Sequence, residues 1–546
     1  MQIKKNILIF ILCVFITISF VTLPRNPLQN DDASLYALAA KNAVVHGQWL
    51  AQFISPGDSS SFLDKPPLGI WLLAWLPKIF GVSELTIHFP NVIYYSFLLL
   101  IIYLAISYLS SRKLALYSTI IAATSLGLVV YSRAPKLDVL LTLFVMTANL
   151  AIYAYLKKDK PVFLYLFTLS IICGTLIKSG FGLIFPALTI LFLLIFNPYA
   201  RKKLFSALLS LHFILNILLF LLVTGGVLSS QSISLKDQWL PYLISISIQS
   251  KYNTSYLGFG FYYSIIGFLL LILFPWSPLW LTSLKNPLSR KSNRHTPHLS
   301  VGYQKLSLSS FCNLWFWSNV LFLLFFYRQN DLRTFTVFCP PLAILAGIRL
   351  ALLIGKPATK RRGFLALLGW NSFLLFVFGA FTVALLFNPH NAEGFNLSSA
   401  IQPLSLFVLS LITMMIFFWQ PTIKILTMTF FLVCLAYSLL FWNSQVLVNA
   451  FNPDVTWPKT IANYQAKGYK FYIYRPPDRQ LFYSPDLFYV DFMAGPADQY
   501  FWDPIMLKDA LKLNEAIVLS DTKSWRKLKM TGKTIAQDSY SCLILR

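Results

Sequence analysis

The feature that most limits what this chain can fold into is the repetition of apolar runs of membrane length. They fall at residues 7–23, 89–109, 113–131, 136–156, 161–177, 181–196, 205–228, 259–282, 311–327, 334–354, 364–387, 402–419 and 422–442. Each approaches the length a helix needs to cross about 30 Å of hydrocarbon. In lipid, backbone amides and carbonyls must be bonded internally, so such runs become helices. The pattern predicts an α-helical polytopic membrane protein with about 13 transmembrane helices. The 546 residues are 57% hydrophobic and 12% charged, with a mean hydropathy of +0.64. A soluble chain carries about twice that charged fraction.

The net charge of +25 raises the question of a nucleic-acid partner, and its distribution answers it. With a cytoplasmic N-terminus, alternate loops carry Lys4 and Lys5, Arg112 and Lys113, Lys157, Lys158 and Lys160, and Arg201, Lys202 and Lys203. Further along they carry Lys285, Arg290, Lys291, Arg294 and Lys305, then Lys356, Lys360, Arg361 and Arg362, then Lys424. Cations in every other loop are the positive-inside signature of orientation, with attraction to anionic lipid in addition. The expected partner is therefore the bilayer, with no nucleic acid. The expected location is a bacterial inner (plasma) membrane, multi-pass, with the C-terminus periplasmic. Residues 7–23 follow Lys4-Lys5 but lack an A-x-A-like cleavage site, so they read as a retained first helix. Cys542 stands alone in the exported tail, and the pattern implies no structural disulfide.

Residues 1–442 are expected to form the transmembrane domain, including a long first periplasmic loop over 24–88. Within that loop, the stretches Ala33–His46 and Pro66–Phe80, the latter with Trp71 and Trp75, predict amphipathic helices lying on the membrane. Residues 443–546 have soluble composition. Strand-like runs at Tyr469–Tyr474, Ala516–Leu519 and Ser541–Leu545, with a helical pattern around Ile505–Leu513, predict a small periplasmic α/β domain.

Carboxylates are rare in such a chain, because a charge stranded in lipid is expensive unless it meets water or a partner. Asp31 and Asp32 follow the first span, and Asp138 opens the fourth. One of Asp31 and Asp32 suits a helix cap, which leaves the other for chemistry. Asp32 shares a helical face with Tyr36 and is the candidate general base, with Asp31 the alternative. In Asp64-Lys65-Pro66-Pro67 the prolines stiffen the backbone after a lysine suited to a phosphate. Lys178 lies in Ile177-Lys178-Ser179-Gly180, and Arg328 and Arg333 flank Asp331. Each alone admits a plainer role, as a snorkelling side chain or a helix-end charge. Acids and bases mixed on one external face, opposite almost purely cationic loops, are what a catalytic site at a membrane surface requires. The six histidines are scattered, and no metal-ligand spacing stands out.

Taken in order, D-D-x-x-x-Y, D-K-P-P-L, a helix-opening L-D, L-x-K-x-G and an arginine-rich loop before C-P-P-L-A-I-L resemble the class C membrane glycosyltransferases. The closest branch is the protein mannosyltransferase and lipid A aminoarabinose transferase superfamily. The resemblance covers roughly residues 1–440. It implies that Asp32 is catalytic with Asp138, that Lys65 contacts a lipid phosphate with Asp64 in the place of the family's glutamate, and that Lys178 is the L-x-K-G lysine. The second acid of the usual D-E-x-x-Y, where Ala33 stands here, is lost or displaced to Asp31, and Leu35 stands where the aminoarabinose branch tends to have arginine.

The resemblance implies transfer of a sugar from an undecaprenyl-type polyprenyl monophosphate to a periplasmic acceptor. A lipid A-type glycolipid of the lipopolysaccharide is favoured, with a protein hydroxyl as the alternative. Lys65, Lys178 and Arg328 or Arg333 would stabilise the departing phosphate. A monophosphate leaving group requires no metal or other cofactor, although some relatives bind a divalent metal. A lipid or sugar transporter is the reading from another class. It predicts broken helices and charges at mid-bilayer, whereas the acids here cluster at helix ends.

Overall fold

A computed structural model describes residues 5–25, 28, 32–50, 52, 65–235, 259–283, 306–325, 332–354, 430, 433–435, 437–438, 457–474, 499–501, 503–537 and 541–546. The chain packs as two units. One comprises Met1–Val21, Asp64–Gly69 and Phe89–Leu440; the other comprises Thr22–Leu63, Ile70–His88 and Phe441–Arg546.

In chain order the helices begin with α1 (Lys5–Val21), α2 (Asp32–His46), α3 (Leu68–Phe80), α4 (Glu84–Leu109), α5 (Arg112–Ala123) and α6 (Leu126–Tyr131). Then come α7 (Asp138–Lys158), α8 (Val162–Lys178), α9 (Gly180–Phe196), α10 (Pro198–Leu208) and α11 (Leu211–Leu235). The series continues with α12 (Phe259–Ile272), α13 (Ser277–Ser283), α14 (Leu308–Phe325), a 3₁₀ helix at Leu332–Phe338 and α15 (Cys339–Ile354). Among the described residues, four helical segments are long and apolar enough to cross a membrane: Glu84–Leu109, Asp138–Lys158, Leu211–Gln231 and Leu332–Leu352. The bent pair α9–α10 makes a fifth candidate. The expected spans at 364–387 and 402–419 lie outside the described residues, as does nearly all of 422–442.

Three apolar runs that read as single spans are interrupted. The run at 113–131 is two helices, α5 and α6. Thr124 and Ser125 donate their hydroxyls back to Ile120 O (2.8 Å) and Ile121 O (2.6 Å), and the amide of Leu126 turns away to Phe274 O (3.0 Å). Trp276 Nε1 donates to Thr124 Oγ1 at 2.8 Å and fills the gap. The run at 259–282 is split where Pro275, after a cis peptide, supplies no amide to continue the ladder. The run at 205–228 begins in α10, turns at Leu209–Ser210 and continues as α11. A helix N-terminus is written at Asn197-Pro198: Asn197 Oδ1 accepts the amide of Ala200 at 2.8 Å, with proline at the first helical position.

Helices of the first unit approach closely at small residues. A Cβ on Gly182 of α9 would sit 2.0 Å from the carbonyl carbon of Gly174 in α8, and one on Gly347 of α15 would sit 3.0 Å from the amide nitrogen of Ser118 in α5. Where lipid removes the hydrophobic drive for helix pairing, such backbone contact supplies the dispersion energy instead.

α3 buries Ile70, Leu73 and Ala74 and exposes Ile79 and Phe80 at its end. The helix expected at Ala33–His46 is present as α2, but its burial is not confined to one face. Ala33 through Ala40, Asn42 and Ala43 are all buried, because alanine-rich surfaces let neighbours approach from every side.

The C-terminal residues form α16 (Trp457–Gln465), β1 (Lys470–Tyr474), β2 (Gln499–Phe501), α17 (Pro504–Leu513), β3 (Ala516–Asp521), α18 (Thr522–Leu528), β4 (Lys533–Gln537) and β5 (Ser541–Leu545). The sheet order is β2-β1-β3-β5-β4, with β2, β1 and β3 parallel and β5 antiparallel to both β3 and β4. Alternate residues build two cores. Tyr472, Tyr474, Val518 and Ile544 pack with Leu507, Leu511 and Trp525, while Phe471, Ile473, Leu519 and Leu543 pack with Trp457 and Ile461. The central strands are buried on both faces, as parallel strands covered by helices are.

Candidate active site

The turn Ser132–Leu137 leads from α6 into α7 and carries an unusual load of buried charge. Arg133, Lys136 and Asp138 are all buried, a placement that demands partners. Arg133 Nη1 donates to Ser19 O at 2.7 Å. Burial pushes its guanidinium down to about 10, still well above neutrality, so it stays charged. Asn91 Nδ2 donates to Lys136 O at 2.8 Å and also to Ala134 O, which fixes the turn that launches the helix. Lys136 Nζ lies 5.5 Å from the centre of the Tyr131 ring, within the range of a cation–π contact.

Asp138 is the first residue of α7, where a negative charge complements the helix dipole. Lys178, the last residue of α8, reaches it: Nζ and Oδ1 are 2.7 Å apart, with side-chain exposures of 15% and 3%. The other carboxylate oxygen, Oδ2, accepts no hydrogen bond among the described residues. Arg333 and Lys136 lie close enough to act on the same carboxylate through their charge. Arg333 sits on the 3₁₀ helix that precedes α15. That helix is tied to α7 by Thr142, whose hydroxyl lies 2.7 Å from Asp138 O and 3.0 Å from Thr336 Oγ1, while Thr336 donates to Arg333 O at 2.8 Å. A seven-residue 3₁₀ segment is long for its kind, and such stretches mark functional hinges or strain.

These elements line a small open recess, with Asp138, Lys178, Phe181, Thr334 and Thr336 among its walls. Lys178 Nζ is 6.0 Å from the centre of the Phe181 ring. The carboxylate, the ammonium, the hydroxyls and the aromatic ring offer a phosphate-bearing or hydroxylated ligand both charge and hydrogen bonds. Among the described residues, no three His, Cys, Asp or Glu side chains group as metal ligands.

Of the sequence candidates, Asp138, Lys178 and Arg333 are thus brought together. Lys65 belongs to the same unit, and its carbonyl accepts from Gln231 Nε2 at 3.1 Å. Asp32 opens α2 in the other unit, half-buried, with Tyr36 buried one turn on. Asp31, Asp64 and Arg328 lie outside the described residues. Sequence reasoning assigned no role to Thr142, Thr336 or Asn91. A polar residue inside an apolar run is the signal each of them carries, and it becomes specific only once its partner is known.

Residues 64–225 match the family model of dolichyl-phosphate-mannose-protein mannosyltransferases. An uncharacterized protein of Aquifex aeolicus (strain VF5) is 26% identical over 260 residues, 47% of this chain, and the match spans only half of that relative's length (50%). Among solved structures, ArnT from Cupriavidus metallidurans bound to undecaprenyl phosphate superposes with a TM-score of 0.69 at 13% identity, over 100% of this chain and 98% of that one. Its apo state gives 0.68 at 13% identity, over 98% and 97%. An identity of 13% speaks for the fold alone. The likeness to ArnT is thus one of fold, and the match to the mannosyltransferase family model covers residues 64–225.

Proposed function

We infer that this chain, which shares the class C glycosyltransferase fold, moves a sugar from a polyprenyl monophosphate to an acceptor at the periplasmic face of a bacterial inner membrane. The observation that carries the reading is the buried Asp138–Lys178 pair at the mouth of a recess, with Arg333 and Lys136 acting on the same carboxylate. The resemblance to ArnT, solved with undecaprenyl phosphate, supports the choice of donor. In the reaction the acceptor oxygen bonds to the sugar's anomeric carbon. The bond from that carbon to the phosphate oxygen breaks, and polyprenyl phosphate leaves with the electron pair. Lys178, Arg333 and Lys65 stabilise the negative charge that grows on the phosphate, and fixed cations in a water-poor site do so better than bulk water. Asp138 orients Lys178 and offers its second oxygen to a hydroxyl of the sugar. Asp32 positions the acceptor and takes its proton where the acceptor is a hydroxyl. A monophosphate leaving group needs no metal in this scheme.

The acceptor we favour is a lipid A-type glycolipid, and the alternative is a protein hydroxyl. Mass spectrometry of lipid A and of surface glycoproteins, with and without this protein, decides between them. A sugar-sized mass lost from lipid A supports the first, and loss confined to glycoproteins overturns it. The pH profile gives a second reading. A phosphate acceptor is already ionised, so its rate is nearly flat around neutrality, whereas a hydroxyl that needs a base gives a rate rising with pH.

A further inference from the structure

The far end of the same bundle carries a second built surface, away from the transfer chemistry. Three corners of the first unit meet there: the α4–α5 corner, the α7–α8 turn and the α9–α10 corner. Tyr199 Oη and Lys203 Nζ both donate to Leu156 O, at 2.8 and 3.1 Å. Lys157 Nζ donates to Leu109 O, and Lys158 Nζ stands 4.8 Å from the centre of the Tyr108 ring. The corners gather Arg112, Lys113, Lys157, Lys158, Lys160, Arg201, Lys202 and Lys203 around one acid, Asp159, which Lys203 already holds at 2.9 Å. Arg112, Lys113, Lys160 and Lys202 are exposed, and none makes an ion pair among the described residues.

α10 is bent 119° from α9. If α9 crosses the bilayer, α10 runs close to the membrane plane. Its inner face, Ala200, Leu204 and Ala207, is buried against the bundle, whereas Phe205 is 53% exposed and the adjoining Leu209 is 90% exposed. Arg201 donates to Leu194 O (2.7 Å) and Ile195 O (3.1 Å) and so satisfies the carbonyls that end α9. Exposed apolar side chains beside unpaired cations on an in-plane helix match the boundary between acyl chains and anionic headgroups.

We propose that this basic corner, centred on α10, is a docking surface for anionic phospholipid of the cytoplasmic leaflet. Lys113, Lys160 and Lys202 meet headgroup phosphates while Phe205 and Leu209 enter the acyl region. The surface would fix the depth of the bundle, and it does not depend on the transferase reading.

The test uses the full-length protein in nanodiscs containing equal amounts of phosphatidylglycerol and phosphatidylcholine. The lipids that stay bound after detergent extraction are quantified by mass spectrometry. Each juxtamembrane cation is worth roughly fivefold in affinity. Wild-type protein should therefore retain phosphatidylglycerol over phosphatidylcholine by about tenfold or more, a preference that weakens as salt rises. Combined Lys113→Gln, Lys160→Gln and Lys202→Gln should bring the ratio near one without changing the elution volume of the protein. Combined Lys508→Gln, Lys527→Gln and Lys529→Gln, in the C-terminal residues, should leave the ratio as in the wild type. Equal retention of both lipids by wild-type protein would overturn the proposal, as would a preference that survives the first triple substitution. Displacement of phosphatidylglycerol by glycerol phosphate would also overturn it, because the site would then take a free phosphate rather than a bilayer.

Discussion

At its first residue, α7 holds Asp138 buried and bonded to Lys178, with Arg333 acting on it through charge. One helix length away, Lys157 and Lys158 reach over Leu109 O and the Tyr108 ring, and Asp159 is 70% exposed in its pair with Lys203. Both ends carry ions, yet the surroundings give them different meanings. A buried pair has given up hydration, so each partner depends on the other, and removing one leaves an uncompensated charge at a cost of about 3–5 kcal/mol. In the other pair the Asp159 carboxylate keeps its water although Lys203 is 16% exposed, and a pair with one exposed partner contributes about 1 kcal/mol at most. The proposed reading assigns chemistry to the first end and membrane orientation to the second, although the sequence at both is simply charge beside an apolar run.

The sharpest way to break the comparison is at Asp32 and Lys178, where the proposed reaction is most exposed to failure. Asp32→Asn should lower transfer by about 10²–10⁴-fold, the range of a general base. The fold should hold, since a helix-start acid is worth only about 1 kcal/mol. Asp31→Asn should be mild, and if the two sensitivities were reversed the register of the base would be off by one residue. Lys178→Ala should abolish transfer and also lower stability by about 3–5 kcal/mol, read as a fall in thermal midpoint in detergent. The paired change Asp138→Leu with Lys178→Met should recover most of the stability and none of the activity. Recovery of both would make the pair structural only.

Gly182→Ala sharpens the comparison on packing grounds. Its new Cβ would sit within 2.0 Å of Gly174, and overpacking of this kind costs about 1–3 kcal/mol. Because Lys178 ends the helix that carries Gly174, transfer should fall with stability. Gly225→Ala has nothing within 4 Å of the added carbon and should be silent in both measurements. The smallest expected effect is at the exposed end of α7, where Lys203→Gln should change stability by less than about 1 kcal/mol and leave transfer unaltered. An effect there as large as that of Lys178→Ala would erase the distinction between the two ends.

How much of this was legible in the sequence follows the same division. The start of α7 was readable because Asp138 is an acid at the head of an apolar run, and Lys178 because a lysine before Ser-Gly ends one. The helix at Asp32–His46 was readable, but its burial was not, because alanine spacing records neither the number nor the position of its neighbours. The interruptions at Thr124–Ser125 and Pro275 were hidden inside runs whose average hydropathy stays high. They depend on hydroxyls bonding back along the helix and on Trp276 arriving from a distant segment. The α9–α10 corner did carry a local signature in Asn197-Pro198, whereas the apolar run from residue 205 hid the turn at Leu209–Ser210 between α10 and α11. In the C-terminal residues, β1, β3, β5 and α17 lie on the runs that suggested them. The three-residue β2 and the bulged β4 are too short or irregular for an alternating pattern to reveal.

The most direct test of the central claim is the release of polyprenyl phosphate from a polyprenyl-phosphate sugar by purified protein in the presence of a lipid A-type acceptor. The account predicts release by wild-type protein, with the sugar recovered on the acceptor, and none by Asp32→Asn or Lys178→Ala. Donor that remains intact with wild-type protein, while crossing the bilayer of reconstituted vesicles, would contradict it and make the chain a transporter.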